Sequence, residues 1–272
     1  MMIVNKEKCI ACGMCVRDCI VSDIKIIDNK AEIQNERCLK CGHCIAICPK
    51  NAVTSDEYNM EAVIPYEEES FSLSPENLLN FIKFRRSTRQ FKGKDVEIEK
   101  IEKIIEAGRF TQTGSNAQNV SYVVIKDKLE ELKEMTLKTL YESGKYILDN
   151  LNEENKLYKV YAEMWVKMYE AYKIDCKNDA VFFNAPVVIL VVSDSEVNGS
   201  LAASNMELMT NALGLGTFFS GFLVRAAESN MEIKRLAGLK SDQKIVNCMV
   251  IGYPSVKYSR TVPRNNAKVI WK

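Results

Sequence analysis

Two stretches decide how the chain is read: CIACGMCVRDC over residues 9–19 and CLKCGHCIAICP over residues 38–49. Cys9, Cys12, Cys15 and Cys19 are separated by two, two and three residues, and Cys38, Cys41, Cys44 and Cys48 repeat that spacing before Pro49. Three thiolates this close lie on one loop that wraps an iron–sulfur cube while its amides point at the cluster sulfurs. The fourth cysteine lies too far along the chain to close the same cube, and it ligates the other. The spacing therefore places one 4Fe–4S cluster on Cys9, Cys12, Cys15 and Cys48, and a second on Cys38, Cys41, Cys44 and Cys19. That exchange ties the two runs together, so about sixty residues with few large apolar side chains can fold. Ile3, Val4, Ile10, Ile20, Ile24, Ile26, Ile27, Ile33, Leu39, Ile45 and Ile47 are the expected apolar shell. Zinc is the competing metal, but its sites use two ligand pairs across a spacer rather than this doubled run. His43, the only histidine, lies among thiolates that already supply four ligands per cube, and reads as a neighbouring or solvent group.

The composition agrees with a metal role for these thiols. Eight of ten cysteines fall between Cys9 and Cys48, and in a reducing compartment such a cluster reads as metal ligands rather than disulfides. Lys and Arg (37) nearly balance Asp and Glu (36), so no global field attracts nucleic acid or an anionic membrane. The longest apolar run, Ala185 to Val192, is far short of the roughly 20 residues that span a bilayer. The opening MMIVNKEKC has no export pattern. The expectation is a cytoplasmic chain without nucleic-acid or membrane partners.

Outward from the cysteines, residues 61–80 hold Glu61, Glu67, Glu68, Glu69 and Glu76 with Pro65 and Pro75 and no basic residue, which reads as a linker. The expected organisation is a two-cluster domain over 1–55, a linker over 56–76 and a second domain over 77–272. Ser74-Pro75 supplies a helix cap and first turn. Helices are expected from Val96 to Ala107, stopped by Gly108, then over Leu129–Leu151, Leu157–Tyr172 and Leu201–Leu213, the last ended by Gly214. Strands are expected at Tyr122–Ile125, Pro186–Val192 and Ile245–Ile251. Tyr158, Tyr161, Trp165, Met168, Tyr169 and Tyr172 recur at roughly helical spacing, which favours core or interface packing over a stacking role. The Lys/Glu alternation at 126–138 reads as a solvated face. Cys176 and Cys248 have no partners at metal spacing, and Cys248 reads as a small buried hydrophobe.

Five further pieces carry chemistry. Arg85-Arg86-Ser87-Thr88-Arg89 follows an amphipathic helix and suits a phosphate or an electron-rich ring edge. The polar loop Thr111–Asn119 is dense in amides and hydroxyls. Asn184-Ala185-Pro186 enters an apolar strand. Leu213 to Phe222 places three glycines where backbone can approach a flat ligand, at a spacing unlike a dinucleotide fingerprint. Tyr253-Pro254 precedes Arg260 and Arg264.

The cysteine runs resemble bacterial two-cluster ferredoxins over residues 1 to about 55. The order of the five pieces resembles the FMN-dependent nitroreductase family over 80–272, and the whole chain looks like a ferredoxin–nitroreductase fusion. The resemblance implies an α+β homodimer with FMN at the subunit interface. It implies that Arg85, Arg86, Ser87 and Arg89 hold the ribityl-phosphate and pyrimidine edge, and that Asn116 and Gln118 bond the ring carbonyls and N3. It further implies that Ser220 and Gly221 bring a backbone amide near flavin N5, and that Arg264 with Arg260 completes the phosphate site. Proline-serine and proline-tryptophan pairs common in the family loop are replaced here by Gln112-Thr113 and Asn119-Val120. A flavin takes two electrons and a cluster passes one, so two clusters in series would load a flavin stepwise. The expected activity is reduction of an electron-poor nitroaromatic, quinone or enone, with a ferredoxin-like protein or NAD(P)H as donor. A non-enzymatic electron carrier or redox sensor and a dedicated biosynthetic flavin reductase are the rival readings. No side-chain catalytic acid is identified.

Overall fold

A computed structural model describes residues Met1–Lys272. The chain divides into two compact units. One comprises Met1–Ser74 with Thr113–Ala117, the other Pro75–Gln112 with Gln118–Lys272.

The first unit is built twice over. Its elements are β1 (Met2–Val4), α1 (Met14–Asp18), β2 (Ile24–Ile27), β3 (Lys30–Ile33), α2 (His43–Ala46), β4 (Val53–Ser55) and α3 (Glu68–Phe71). β1 pairs antiparallel with β4, and β2 with β3. Counterpart cysteines lie 29 positions apart, as Cys9 and Cys38 do, and the backbone obeys the same shift. Ala11 and Lys40, Gly13 and Gly42, Ser22 and Asn51 are all left-handed. Gly13 and Gly42 each open a helix of about one turn, α1 or α2, a position where glycine meets no Cβ penalty. The small core consists of Met2, Cys9, Ile24, Ala31, Cys44, Ala52 and Val53. Of the expected shell, Ile24 is buried, while Ile3, Ile10, Ile20, Ile26 and Ile27 are exposed; Ile10 and Ile26 nevertheless line one cysteine-walled cavity and Ile20 the other. The acidic stretch is not wholly irregular: it holds a 3-10 turn at Met60–Ala62 and the α3 turn.

The second unit has mixed α+β architecture. Its elements are α4 (Pro75–Phe84), α5 (Ile98–Arg109), β5 (Val120–Ile125), α6 (Leu129–Asp149), α7 (Lys159–Ile174), β6 (Val187–Ser193), α8 (Glu196–Ala212), β7 (Gly216–Phe219), α9 (Gly221–Ser229), α10 (Met231–Leu236) and β8 (Ile245–Gly252). The four strands form one antiparallel sheet ordered β5-β6-β8-β7. β6 is buried throughout, which explains its unbroken apolar run: a central strand covered on both faces needs no alternation. One face packs on Leu132, Leu137, Leu140, Trp165 and Leu223, the other on Ile101, Ile104 and Met206.

Several expected boundaries move. α5 runs through Gly108 to Arg109; a Cβ on Gly108 would sit 2.6 Å from the Tyr122 hydroxyl and 2.9 Å from Met206, so this glycine serves helix packing and does not stop the helix. α8 begins at Glu196, where Ser195 caps it by accepting from the Asn198 N–H. The segment Gly216–Phe219, expected as a glycine-rich ligand loop, is strand β7, with Thr217 fully buried. Lys133 leaves the expected solvated face altogether: it is 2% exposed and pairs with Glu130 at 2.7 Å and Asp179 at 3.3 Å.

Candidate functional site

In the first unit the eight cysteines fall around two separate cavities. Cys9, Cys12, Cys15 and Cys48 line one, with Val4, Ile26 and Val53; Cys19, Cys38, Cys41 and Cys44 line the other, with Met2, Ile24 and Ile33. The last cysteine of each run thus turns away from its own triplet and joins the other. Backbone amides reach the sulfurs. Asp23 N–H lies 3.4 Å from Cys19 Sγ and Ala52 N–H 3.3 Å from Cys48 Sγ, a symmetric pair; Ala31 serves Cys9 at 3.2 Å and Lys40 serves Cys38 at 3.4 Å. His43, also on the wall of the second cavity, is exposed, and its Nδ1 faces Asp18 at 3.2 Å.

The thiol electrostatics suit a cationic guest. Burial, together with Cys38 and Cys41, pushes the Cys44 thiol up to about 11, and burial raises Cys15. At Cys9 burial is opposed and outweighed by the amides of Ala31 and Ala11 and by Lys30, so that thiol is lowered. Thiolates crowded in this way ionise together only when a metal supplies positive charge. Thiolate donors with amides aimed at sulfur match the chemistry of iron–sulfur binding. Burial raises Cys248 steeply, as fits an inert core side chain.

In the second unit the Arg85–Arg89 run lies beside β7. Ser87 bridges Thr217, and Thr88 N–H donates to the Thr217 carbonyl at 2.9 Å. Gly216 permits this approach, since a Cβ there would sit 2.7 Å from Thr88 Oγ1. Arg85 is committed to Glu207 at 2.5 Å. Arg86 donates to the Arg260 carbonyl at 2.8 Å and stacks on Tyr258, 4.2 Å from its ring centre. The Nε atoms of both arginines are buried with no partner. A guanidinium donor left unanswered suits an anion such as a phosphate.

Arg89 points elsewhere. With Ser220 and Gly221 it lines a cavity of 470 Å³, walled by Phe183, Phe218, Phe222 and Trp165. Its guanidinium lies 5.4 Å from the Phe218 ring centre, and Phe183 packs edge-on against Phe218. Tyr158 and Tyr161 line the same cavity while Trp165 is buried at its wall and Tyr172 in the core, so the aromatic stripe of α7 divides between packing and cavity. Arg225, unremarked in the sequence, lies over Tyr158 and Trp165 at 5.2 and 5.0 Å. A second opening of 790 Å³ shares Arg89, Ala180 and Phe183. The turn carrying these last two is set by Asp179, whose carboxylate accepts from the amides of Val181, Phe182 and Asn184, while Phe183 and Asn184 are left-handed. An aromatic-walled cavity with a guanidinium at its rim fits a flat ring with carbonyl acceptors along one edge, such as a flavin's.

Other expected site residues are placed differently. The Ser220 amide is spent on the Cys248 carbonyl at 2.8 Å and its hydroxyl on Val181; the amide available at this corner therefore belongs to the first turn of α9, at Gly221 or Phe222, where helical N–H groups have no internal partner. Asn116 belongs to the first unit, and its amide donates to Leu39 and Lys40, because the loop turns through left-handed Ser115 and Asn116. Gln118 is exposed. Arg264 is exposed and donates to its neighbour Pro263. No helix is long and apolar enough to cross a membrane.

Comparison with known proteins accords with both halves. Residues 82–253 match the nitroreductase family and residues 1–49 the 4Fe-4S dicluster domain. An iodotyrosine deiodinase from Hydra vulgaris is 26% identical over 223 residues, covering 74% of this chain and 76% of its own. A putative NADH dehydrogenase/NAD(P)H nitroreductase from Archaeoglobus fulgidus is 25% identical over 185 residues, covering 66% and 86%. Among solved structures, a Bacteroides fragilis nitroreductase with bound FMN superposes with a TM-score of 0.54 at 16% identity, over 71% of this chain and 98% of that one. The chain belongs to the nitroreductase family, as a fusion with an N-terminal 4Fe–4S dicluster ferredoxin domain.

Proposed function

We propose that the chain is an FMN-dependent oxidoreductase fed through two 4Fe–4S clusters and acting in the reducing cytoplasm on an electron-poor small molecule such as a nitroaromatic, quinone or enone. The observation that carries this reading is the aromatic-walled cavity rimmed by Arg89 and the start of α9, in a chain whose other unit gathers eight cysteines four by four. When bound, FMN supplies two-electron chemistry and each cluster one-electron transfer.

Arg85, Arg86 and Ser87, with Arg260 and Arg264 from the tail, are assigned to the phosphate. Arg89 holds positive charge at the ring edge, where it favours an electron-rich ring. Gly221 or Phe222 offers the backbone amide, and Gln118 is kept for a ring carbonyl. No carboxylate or imidazole lines the cavity, so the product's proton comes from water or from Tyr158 or Tyr161, both on its wall. An open cavity favours turnover over a pure electron carrier, which needs none. The electron donor is a low-potential ferredoxin-like protein or NAD(P)H.

A homodimer is part of the reading. In the single chain α4 buries none of its residues, leaving Leu78, Leu79, Ile82 and Phe84 exposed, and the tail exposes Val269, Ile270 and Trp271. Apolar arms of this size call for a second copy.

The test is optical and anaerobic. The fully reduced holoprotein is mixed rapidly with a nitroarene while flavin and cluster absorbance are followed together. Flavin reoxidation first, with the clusters draining after it, supports the reading. No response from either chromophore removes nitro reduction, and cluster oxidation without the flavin removes the electron path.

A further inference from the structure

Asn116 lies 75 or more residues from its hydrogen-bond partners in sequence, yet its side chain sits on the Cys38–Cys41 loop of the same compact unit. The amide donates to the Leu39 carbonyl at 2.9 Å and to the Lys40 carbonyl at 3.1 Å. Two carbonyl acceptors accept only the NH2 end, so chemistry decides the orientation of the amide. The Leu39 carbonyl and the Lys40 N–H are the two ends of one peptide group, and that N–H points at Cys38 Sγ, 3.4 Å away. The Lys40 carbonyl belongs to the peptide that carries the Cys41 N–H, and it also accepts from the Tyr58 hydroxyl at 2.9 Å. Lys40 is held left-handed at φ 54°, and Asn116 itself at φ 53°, a conformation that asparagine tolerates better than most residues.

Donation to the carbonyl end of a peptide polarises it and strengthens donation from its N–H end. Reduction of a cluster adds negative charge that spreads onto its sulfurs, and hydrogen bonds to those sulfurs raise the potential. We propose that Asn116 is a positioning residue for the cluster held by Cys38, Cys41, Cys44 and Cys19: it anchors the Leu39–Lys40 turn and raises that cluster's reduction potential relative to the ligands alone. The proposal rests on the two-cluster reading above, and it gives Asn116 a role other than contact with a flavin carbonyl.

The test is a reductive titration of the holoprotein with low-temperature EPR, together with iron and sulfide analysis. Cys12→Ser and Cys41→Ser identify which signal belongs to which cluster. Asn116→Asp keeps the shape and the left-handed turn but has no N–H to give; Asn116→Gly removes the side chain without strain or added charge. In both, the potential of the Cys41 cluster falls by about tenfold in its reduction equilibrium, about 59 mV for one electron, and the other cluster holds its value. Asn116→Gln, which restores a donor, moves back toward wild type. Selective loss of the Cys41 cluster's iron in both variants supports the same assignment, since a loop without its anchor releases its guest. Two intact clusters with unchanged potentials, or a shift confined to the Cys12 cluster, overturn the proposal while the two-cluster reading stands. A wild-type protein with iron for only one cluster overturns that reading, and the proposal with it.

Discussion

Arg85 donates through Nη1 to the Glu207 carboxylate at 2.5 Å, joining the residue just after α4 to the middle of α8. The carboxylate is 11% exposed and the guanidinium 28%, so neither is well served by water if the other is removed. Arg85→Met is expected to cost about 1.5–3 kcal/mol, the range for a hydrogen bond to a charged group, by leaving the buried Glu207 without its partner. In a Glu207→Leu background the same change costs much less. Urea denaturation of the flavin-free protein, arranged as a double-mutant cycle, measures the coupling; strictly additive effects show that the pair is not a structural tie.

The partition of the cysteines predicts a crossed phenotype. Cys48→Ser is expected to remove the cluster shared with Cys9, Cys12 and Cys15, lowering the iron content by about half, and to leave the signal assigned through Cys41. Loss of the Cys41 signal instead shows that each run closes its own site.

Asp179 answers both buried Lys133 and three backbone amides of the turn that ends at Asn184. Removing one partner of a buried pair costs about 3–5 kcal/mol, and Asp179→Asn is expected in that range because its NH2 group cannot accept from the amides. Lys133 is held above its ordinary value: burial lowers it, and Glu130 and Asp179 more than offset that. Its contribution is therefore present below pH 10.5 and is lost as pH rises through the folded-state value. Thermal unfolding at neutral pH and at pH 11 checks both: the gap between wild type and Lys133→Met narrows at the higher pH.

Glu97 is pulled down to about 2 by the Tyr253 hydroxyl first, then by its own backbone and Lys94. A depressed carboxylate stabilises the fold above its ordinary value of 4.5 and ceases to as pH falls through about 2. The stability difference between wild type and Glu97→Gln should shrink across that window. A carboxyl chemical shift for Glu97 that titrates near 4.5 contradicts the contact with Tyr253.

What the order of residues settled was local. Cys9 to Cys19 and Cys38 to Cys48 announce their chemistry because ligand spacing on one loop is a property of a few consecutive bonds, and the Ser74-Pro75 start of α4 is local in the same way. The apolar run of β6 marked a buried strand, though its place at the centre of the sheet came only from pairing with β5 and β8. Where partners lie far apart in the chain, folding decided. Lys133 read as one more cation on a helix until Asp179, 46 residues on, drew it into the interior. Asn116 read as a polar loop residue able to serve a ring, and the compact unit turned it toward Leu39 and Lys40. The Ser220 amide was available on paper and is spent on Cys248. Thr217 read as part of a pliable glycine loop, and pairing with β8 made it a buried strand residue. A hydrogen-bonding group is defined by its partner, and a partner tens of residues away is chosen by the tertiary structure alone.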